Sequence, residues 1–223
     1  MGTRIRLTAS DGHEFGAYLA EPEGTPRGAL IVGMEMYGVN GYLTGVCDAY
    51  AAEGYLAIAP ALFERFEPDL TLPYDDVGSR KGKELSGLID HSKTMLDVEA
   101  AASRMRPAGK VAIMGFCFGG TVTWLAACRC DLDAGIAYYC SNMCDYPEET
   151  ARCPVICHVG DLDTAVPPAD VAAFQEKHPD VYWYVYEGVQ HGFDNQTRPV
   201  RYDADATTLA HERSLAFLRD KIG

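Results

Sequence analysis

The sequence predicts an α/β fold: one domain built on a mostly parallel central sheet flanked by helices. Short apolar runs of strand length alternate along the chain with segments of helical period, as in strand–helix–strand units. No repeat, low-complexity tract or linker interrupts residues 1–223, so no domain boundary is drawn. A content of 48% hydrophobic residues against 23% charged ones fills a core and excludes a disordered chain.

Each element has its own signal. Residues 3–8 and 13–20, separated by Ser10-Asp11-Gly12, read as an opening hairpin. Residues 29–34 and 55–59 read as buried strands around a helix over 41–53, which Gly54 ends as a C′ glycine. Residues 60–82 have no clean period and carry Pro60, Pro68 and Pro73, so they are expected to form an irregular excursion over the strand ends. Met95, Val98, Ala102 and Met105 recur at helical spacing ahead of Pro107. Residues 110–114, 135–139, 155–159 and 181–186 supply the remaining strands. A helix opens at Pro167-Pro168, turns Val171 and Phe174 inward and stops at Pro179; a final helix covers 204–218.

Charge and cysteine usage narrow the function. With 19 Lys+Arg against 32 Asp+Glu the net charge is −13, which repels phosphate backbones and anionic headgroups. No nucleic-acid or membrane partner is expected; a small-molecule substrate is, and local arginines could still admit an anionic one. The first residues lack a signal-peptide h-region and the apolar runs are too short to span a bilayer, so a cytoplasmic protein with reduced thiols is expected. The eight cysteines are Cys47, Cys117, Cys128, Cys130, Cys140, Cys144, Cys153 and Cys157. Their C-x-C and C-x3-C spacings, with scattered histidines, predict no metal site, and no cofactor is expected.

One cysteine stands apart. A buried strand runs through Gly115-Phe116-Cys117-Phe118-Gly119-Gly120 into an apolar helix, the strand–turn–helix setting of a nucleophile elbow with sulfur in place of a serine oxygen. The glycines relieve collisions around a strained turn, and the Phe118 N–H at the helix start can meet a developing oxyanion. The same position favours a thiolate. A base and its orienting acid should follow in chain order. The loop after strand 155–159 carries Asp161 and Asp163, and the loop after strand 181–186 carries His191 between glycines. The other histidines read as packing or surface residues: His13 on an early strand, His91 on a surface helix, His158 within a strand, His178 at a helix end and His211 on an outer helix.

At this level the chain resembles the dienelactone hydrolases (carboxymethylenebutenolidases). The resemblance runs through Ser10-Asp-Gly-His-Glu-Phe-Gly16, Glu35-Met-Tyr-Gly-Val-Asn40, Pro60-Ala-Leu-Phe63 and Gly115-Phe-Cys-Phe-Gly-Gly120. It continues in Asp163-x-x-Val-Pro167, His191-Gly-Phe193 and Leu209-Ala-His-Glu-Arg-Ser-Leu-Ala-Phe-Leu218. It implies a single-domain α/β-hydrolase fold and selects Asp163 over Asp161 as the acid. It also implies that Glu35 takes the thiol proton and that the Met36 N–H is the second oxyanion donor. Tyr37 and Phe63 are expected to line the pocket. The family's arginine four residues after the histidine is replaced here by Asn195, which is expected to contact substrate from that position, with Arg198 three residues further on as a candidate substitute. Arg80 is the nearest counterpart of the family's other carboxylate-binding arginine and is also expected to contact substrate. The expected activity is cysteine-dependent opening of a lactone, dienelactone-like, or a small carboxylic ester through an acyl-thioester. The alternative is a thiol-based redox or ligand-sensing member of the same fold.

Overall fold

The structure, a computed structural model, describes residues 2–223. Eight strands form one sheet: β1 (Thr3–Thr8), β2 (Glu14–Ala20), β3 (Ala29–Gly33), β4 (Leu56–Pro60), β5 (Val111–Phe116), β6 (Ala134–Tyr138), β7 (Val155–Gly160) and β8 (Tyr182–Tyr186). Their order is β1-β2-β4-β3-β5-β6-β7-β8. The opening hairpin pairs antiparallel and β2 joins β4 antiparallel; every later pairing is parallel. From β3 to β7 every strand residue is buried, because helices cover both faces. The edge strand β8 instead alternates, with Tyr182 and Val185 exposed.

Six α-helices accompany the sheet: α1 (Gly41–Ala52), α2 (Asp76–Leu88), α3 (His91–Met105), α4 (Phe118–Arg129), α5 (Pro168–Lys177) and α6 (Ala204–Lys221). The α3 and α4 helices pack side by side. On the other face α1 meets α6, where the Tyr50 ring lies 4.9 Å from His211. No helix among the described residues is long and apolar enough to cross a membrane.

The α2 helix corrects the expectation of an irregular excursion through residue 82. Turns occupy its first part, but the chain becomes helical at Asp76, where the Asp75 carboxylate caps the Gly78 N–H at 2.8 Å. Its buried residues are Gly78, Gly82 and Leu85. Two of the three contacts are made by bare backbone: a Cβ at Gly82 would stand 2.4 Å from the Met36 carbonyl oxygen. A helix that docks through glycines leaves no apolar stripe to read.

The turn segment before α2 is pinned by Arg65. Its guanidinium grips both oxygens of buried Asp97 on α3, at 2.8 and 2.7 Å, and reaches Asp11 at 2.9 Å. This holds Phe63 against Phe118, ring centroids 5.3 Å apart, beside the carboxyl ends of the parallel strands. Burial raises the Asp97 pKa and the Arg65 bonds oppose that rise. Arg65→Met is therefore expected to cost about 3 kcal/mol, the consequence of stranding a buried charge. Without the guanidinium the carboxyl rises further, so the loss is largest near neutral pH and shrinks as Asp97 protonates on acidification. Urea denaturation at about pH 7.5 and about pH 5 measures both.

Candidate active site

Cys117 sits between β5 and α4 with φ 55° and ψ −115°, a conformation that L residues rarely adopt. Its N–H still bonds the Tyr138 carbonyl of β6 at 3.0 Å, and its carbonyl accepts from Gly120 at 2.9 Å, so the turn is fixed on both sides. The glycines around it are required by contact. A Cβ on Gly115 would lie 1.9 Å from the Gly119 oxygen, and one on Gly119 would lie 2.4 Å from the Gly33 oxygen. The α4 helix thus starts hard against β3 and β5, and the Phe118 N–H, in its first turn, has no intrahelical acceptor.

The strand-end loops bring the predicted partners to this point. His191 Nδ1 donates to Asp163 Oδ2 at 2.8 Å, while Asp163 Oδ1 accepts from the Ala165 N–H at 2.8 Å. Asp161 instead accepts from Gly188 N–H at 2.7 Å, tying the loop after β7 to that after β8. Burial alone would raise the Cys117 thiol, and the Glu35 charge adds to that rise. The His191 imidazolium and the Ser141 hydroxyl, 3.2 Å from Sγ, outweigh both and bring the thiol below its ordinary value. Burial lowers the His191 pKa, but the Cys117 charge and the Asp163 hydrogen bond reverse that and hold it well above its ordinary value. The two shifts describe a thiolate–imidazolium pair.

Glu35 follows β3 and is 3% exposed. Its Oε2 accepts from the Tyr74 hydroxyl at 2.7 Å and Asn195 Nδ2 at 3.0 Å; its Oε1 accepts from the Tyr139 hydroxyl at 3.4 Å. Every donor is neutral. Among the described residues no ion pair reaches it, and its carboxylate bonds these groups rather than the thiol.

A cavity of about 500 Å³ is lined by Phe118, the next residue in the chain after Cys117, and by Ser141, whose hydroxyl meets Sγ; Cys117 and His191 are not themselves among its lining residues. Met36, Lys83, Ser86, Ile89 and Asn142 also line it. His91 also lines it, its ring stacked over Phe118 at 6.4 Å and set edge-on to Tyr146 at 5.6 Å. The buried His91 Nδ1 has no partner among the described residues, and burial pushes the His91 pKa below the ordinary value.

The sequence profile of the dienelactone hydrolase family matches residues 15–222. The chain belongs to that family. A carboxymethylenebutenolidase of Pseudomonas putida is 30% identical over 96% of this chain and 94% of its own. A crystal structure assigned to the dienelactone hydrolases, from Klebsiella pneumoniae subsp. pneumoniae MGH 78578, superposes with a TM-score of 0.83. It is 27% identical, over 96% of this chain and 98% of that one. A dienelactone hydrolase-like promiscuous phosphotriesterase from metagenomic libraries, 18% identical, shares the fold at TM-score 0.79 over 100% of this chain and 99% of its own. As a dienelactone hydrolase family member the chain is a lactone or ester hydrolase with the α/β-hydrolase fold.

Against the expectations for a dienelactone hydrolase, the structure brings Cys117, Asp163, His191, Glu35, Met36 and Phe118 together and displaces the expected pocket residues. Asn195 is fully buried and bonds Glu35 and the Tyr74 hydroxyl, so it holds the glutamate and presents no surface to substrate. Arg198 lies over the rings of Tyr37 and Tyr74 at 5.6 and 5.2 Å and makes no ion pair with Glu35. Arg80 is exposed and off the cavity wall, because the inner face of α2 carries Ser79, Lys83 and Ser86. Tyr37 and Phe63 are each 1% exposed and buttress the wall from behind, Tyr37 through Ser79 at 2.9 Å and Phe63 through Phe118. His91, read as a surface residue, lines the cavity as the first residue of α3, the helix that Asp90 caps. The sequence does not single out Ser141, Tyr139 or Tyr74. The first two lie at or just past a strand's carboxyl end, the one signal that could have found them; Tyr74 has none.

Removal of His191 tests the electrostatics directly. With the imidazolium gone, burial and Glu35 leave only Ser141 opposing them. In His191→Gln the inflection of Cys117 alkylation is expected to move from below pH 9.0 to above it. Iodoacetamide labelling against pH, read by peptide mass spectrometry, measures this; an unmoved inflection would show that another group activates the thiol.

Proposed function

We propose that this protein hydrolyses a lactone or small carboxylic ester with Cys117 as nucleophile and an acyl-thioester as intermediate. One observation carries the reading: a thiol on a strained strand–helix turn is drawn below its ordinary pKa by a histidine that is tied to a buried carboxylate. Ser141, a hydroxyl and not a second thiol, is its hydrogen-bond partner, which favours acyl chemistry over disulfide sensing.

The steps follow from the arrangement. The Cys117 thiolate attacks the carbonyl carbon, and the electron pair moves onto the carbonyl oxygen. The Phe118 and Met36 N–H groups stabilise that oxyanion, one such donor contributing about 3 kcal/mol. As the tetrahedral species collapses, the C–O bond of the ester breaks and the His191 imidazolium gives its proton to the leaving oxygen. In a lactone that oxygen stays tethered to the acyl group. Neutral His191, oriented by Asp163, then takes a proton from water, whose oxygen attacks the thioester; collapse returns the thiolate–imidazolium pair and frees the acid. Glu35, held by Tyr74, Asn195 and Tyr139, is near enough for its charge to raise the thiol pKa and serves as a second acceptor for the thiol proton. The cavity volume suits a small cyclic or short-chain substrate.

Cys117→Ala is expected to lower kcat/KM on activated esters and lactones by at least ~10³-fold and to abolish the acyl adduct that mass spectrometry detects on the wild-type peptide. Hydrolysis at the wild-type rate would falsify the cysteine mechanism.

Lys83 is the basic side chain of the cavity wall and has no ion pair among the described residues. Lys83→Ala is expected to reduce kcat/KM for a carboxylated lactone about fivefold, the ~1 kcal/mol of an exposed charge pair, and to spare a neutral ester of similar size. Steady-state kinetics on the two compounds separates them; equal losses on both place Lys83 outside recognition.

A further inference from the structure

Behind the thiol, four oxygens form a chain. The Tyr139 hydroxyl lies 3.4 Å from Glu35 Oε1 and 3.3 Å from the Tyr42 hydroxyl, which in turn is 2.7 Å from Asp194 Oδ2. Three contacts need three hydrogens, and two tyrosines bring two. With both carboxylates ionised, Tyr139 donates to Glu35 and Tyr42 to Asp194, and the two phenol oxygens face each other without a hydrogen. One proton on a carboxylate completes the chain.

That proton belongs on Asp194. Glu35 already has two donors on Oε2, whereas Asp194 Oδ1 is buried with no partner among the described residues. A bare buried carboxylate oxygen costs least when the group is neutral. Burial raises the Asp194 pKa to about 6, the Tyr42 bond opposing the rise and the Glu35 charge adding to it. Asp194 and Tyr42 also line a separate cleft of about 420 Å³ between α1 and α6, which gives the outer end of the chain a route to solvent away from the substrate cavity. The chain's inner end matters to the thiol, because the Glu35 charge raises the Cys117 pKa.

We propose that Asp194 is a positioning residue for the thiol chemistry, holding the proton that completes a Glu35–Tyr139–Tyr42–Asp194 relay and exchanging it with Glu35. The exchange is balanced. Asp194 O–H passes its proton to the Tyr42 oxygen as Tyr42 passes its own to Tyr139 and Tyr139 its own to Glu35 Oε1. Both phenols are neutral before and after, and one negative charge has moved from Glu35 to Asp194. A thiol proton taken by Glu35 leaves by the reverse shift, once Asp194 has released its proton to the cleft. Where one arginine is expected stands Asn195, a neutral donor, and next to it Asp194, a second carboxylate. The inference rests on Cys117 being the reactive thiol and not on the identity of its ester.

Other titratable and charged groups face this network: Tyr50 of α1, Tyr138 of β6, Tyr186 of β8, His191, and across the cleft Tyr202, His211 and Glu212. Burial lowers His211 from 6.5, which makes it the one needing a control. The test is the pH dependence of Cys117 alkylation by iodoacetamide, scored by peptide mass spectrometry. In the wild type two inflections are expected, the thiol's own and one near pH 6, above which the network loses its proton and the rate rises less steeply. Asp194→Asn, which can still donate to Tyr42, and Tyr42→Phe, which cuts the chain, are each expected to leave one inflection. His211→Gln is expected to keep both. A second inflection that is absent from the wild type, or that survives Asp194→Asn, overturns the proposal. Loss in Asp194→Asn with retention in Tyr42→Phe also overturns it, by assigning the effect to a through-space field. If no lactone or ester is turned over while the two-inflection profile and its loss in both variants hold, the relay stands and the hydrolase mechanism falls.

Discussion

The structure depends on one close approach, that of α4 to β3 and β5 at the elbow. Gly119 stands where a methyl group would enter the Gly33 carbonyl, and Gly115 where one would enter Gly119. Because backbone meets backbone there, Cys117 is lifted out of the strand into a left-handed conformation at a cost of order 1–3 kcal/mol. The hydrogen bonds on either side and the fully buried strand before it hold the turn in place. A looser turn would let the thiol sink into the sheet, away from His191 and from the first-turn N–H groups of α4. Tyr139, at the end of neighbouring β6, also has a positive φ and meets both the His191 ring and Glu35. Of the three non-glycine residues with positive φ among the described residues, two thus sit at adjacent strand ends where the reactive groups converge, and the third, Asp69, lies in the turn segment before α2.

Much of this was legible in the sequence because it is carried by residues with few alternative uses. Glycines flanking a cysteine between an apolar run and an apolar helix leave little room for another local structure. The acid and histidine follow in order on strand-end loops, and the buried strands read as unbroken apolar runs. What could not be read was carried by residues that serve many purposes. The α2 helix docks through Gly78 and Gly82, which have no hydrophobic signature. Tyr74 reaches Glu35 from a turn segment of no fixed period. Asn195 reads as a substrate contact because an arginine was expected at its position, yet burial turns it onto Glu35. Arg80 and Lys83 are three residues apart on one helix, and only the helix's rotation decides which meets the cavity.

The electrostatics at the thiol are a contest between two carboxylates. Asp163 acts at a distance through His191, stabilising the imidazolium and so the thiolate. Glu35 acts in the opposite sense, and neutral donors leave its charge uncompensated. A cation in place of Asn195 would neutralise Glu35 and quiet that opposition. With an amide there, the balance rests on the histidine pair and on the number of protons in the network behind Glu35.

That balance also changes the meaning of the protein's net charge of −13. A global field of that sign discourages anions, but screening confines it to about 8–10 Å at ordinary ionic strength. The cavity is decided by nearer groups: Lys83 on its wall, His91 kept neutral by burial, and Arg198 over two tyrosine rings outside it. Arg198 is close enough to stiffen Tyr74, and through it Glu35, without contributing a bond to either. Its charge is spent on aromatic faces, where a planar guanidinium stacks well. The site therefore keeps one basic group in contact with the cavity, set by the turn of α2, and substrate preference follows from that placement more than from the sum of charges over the chain.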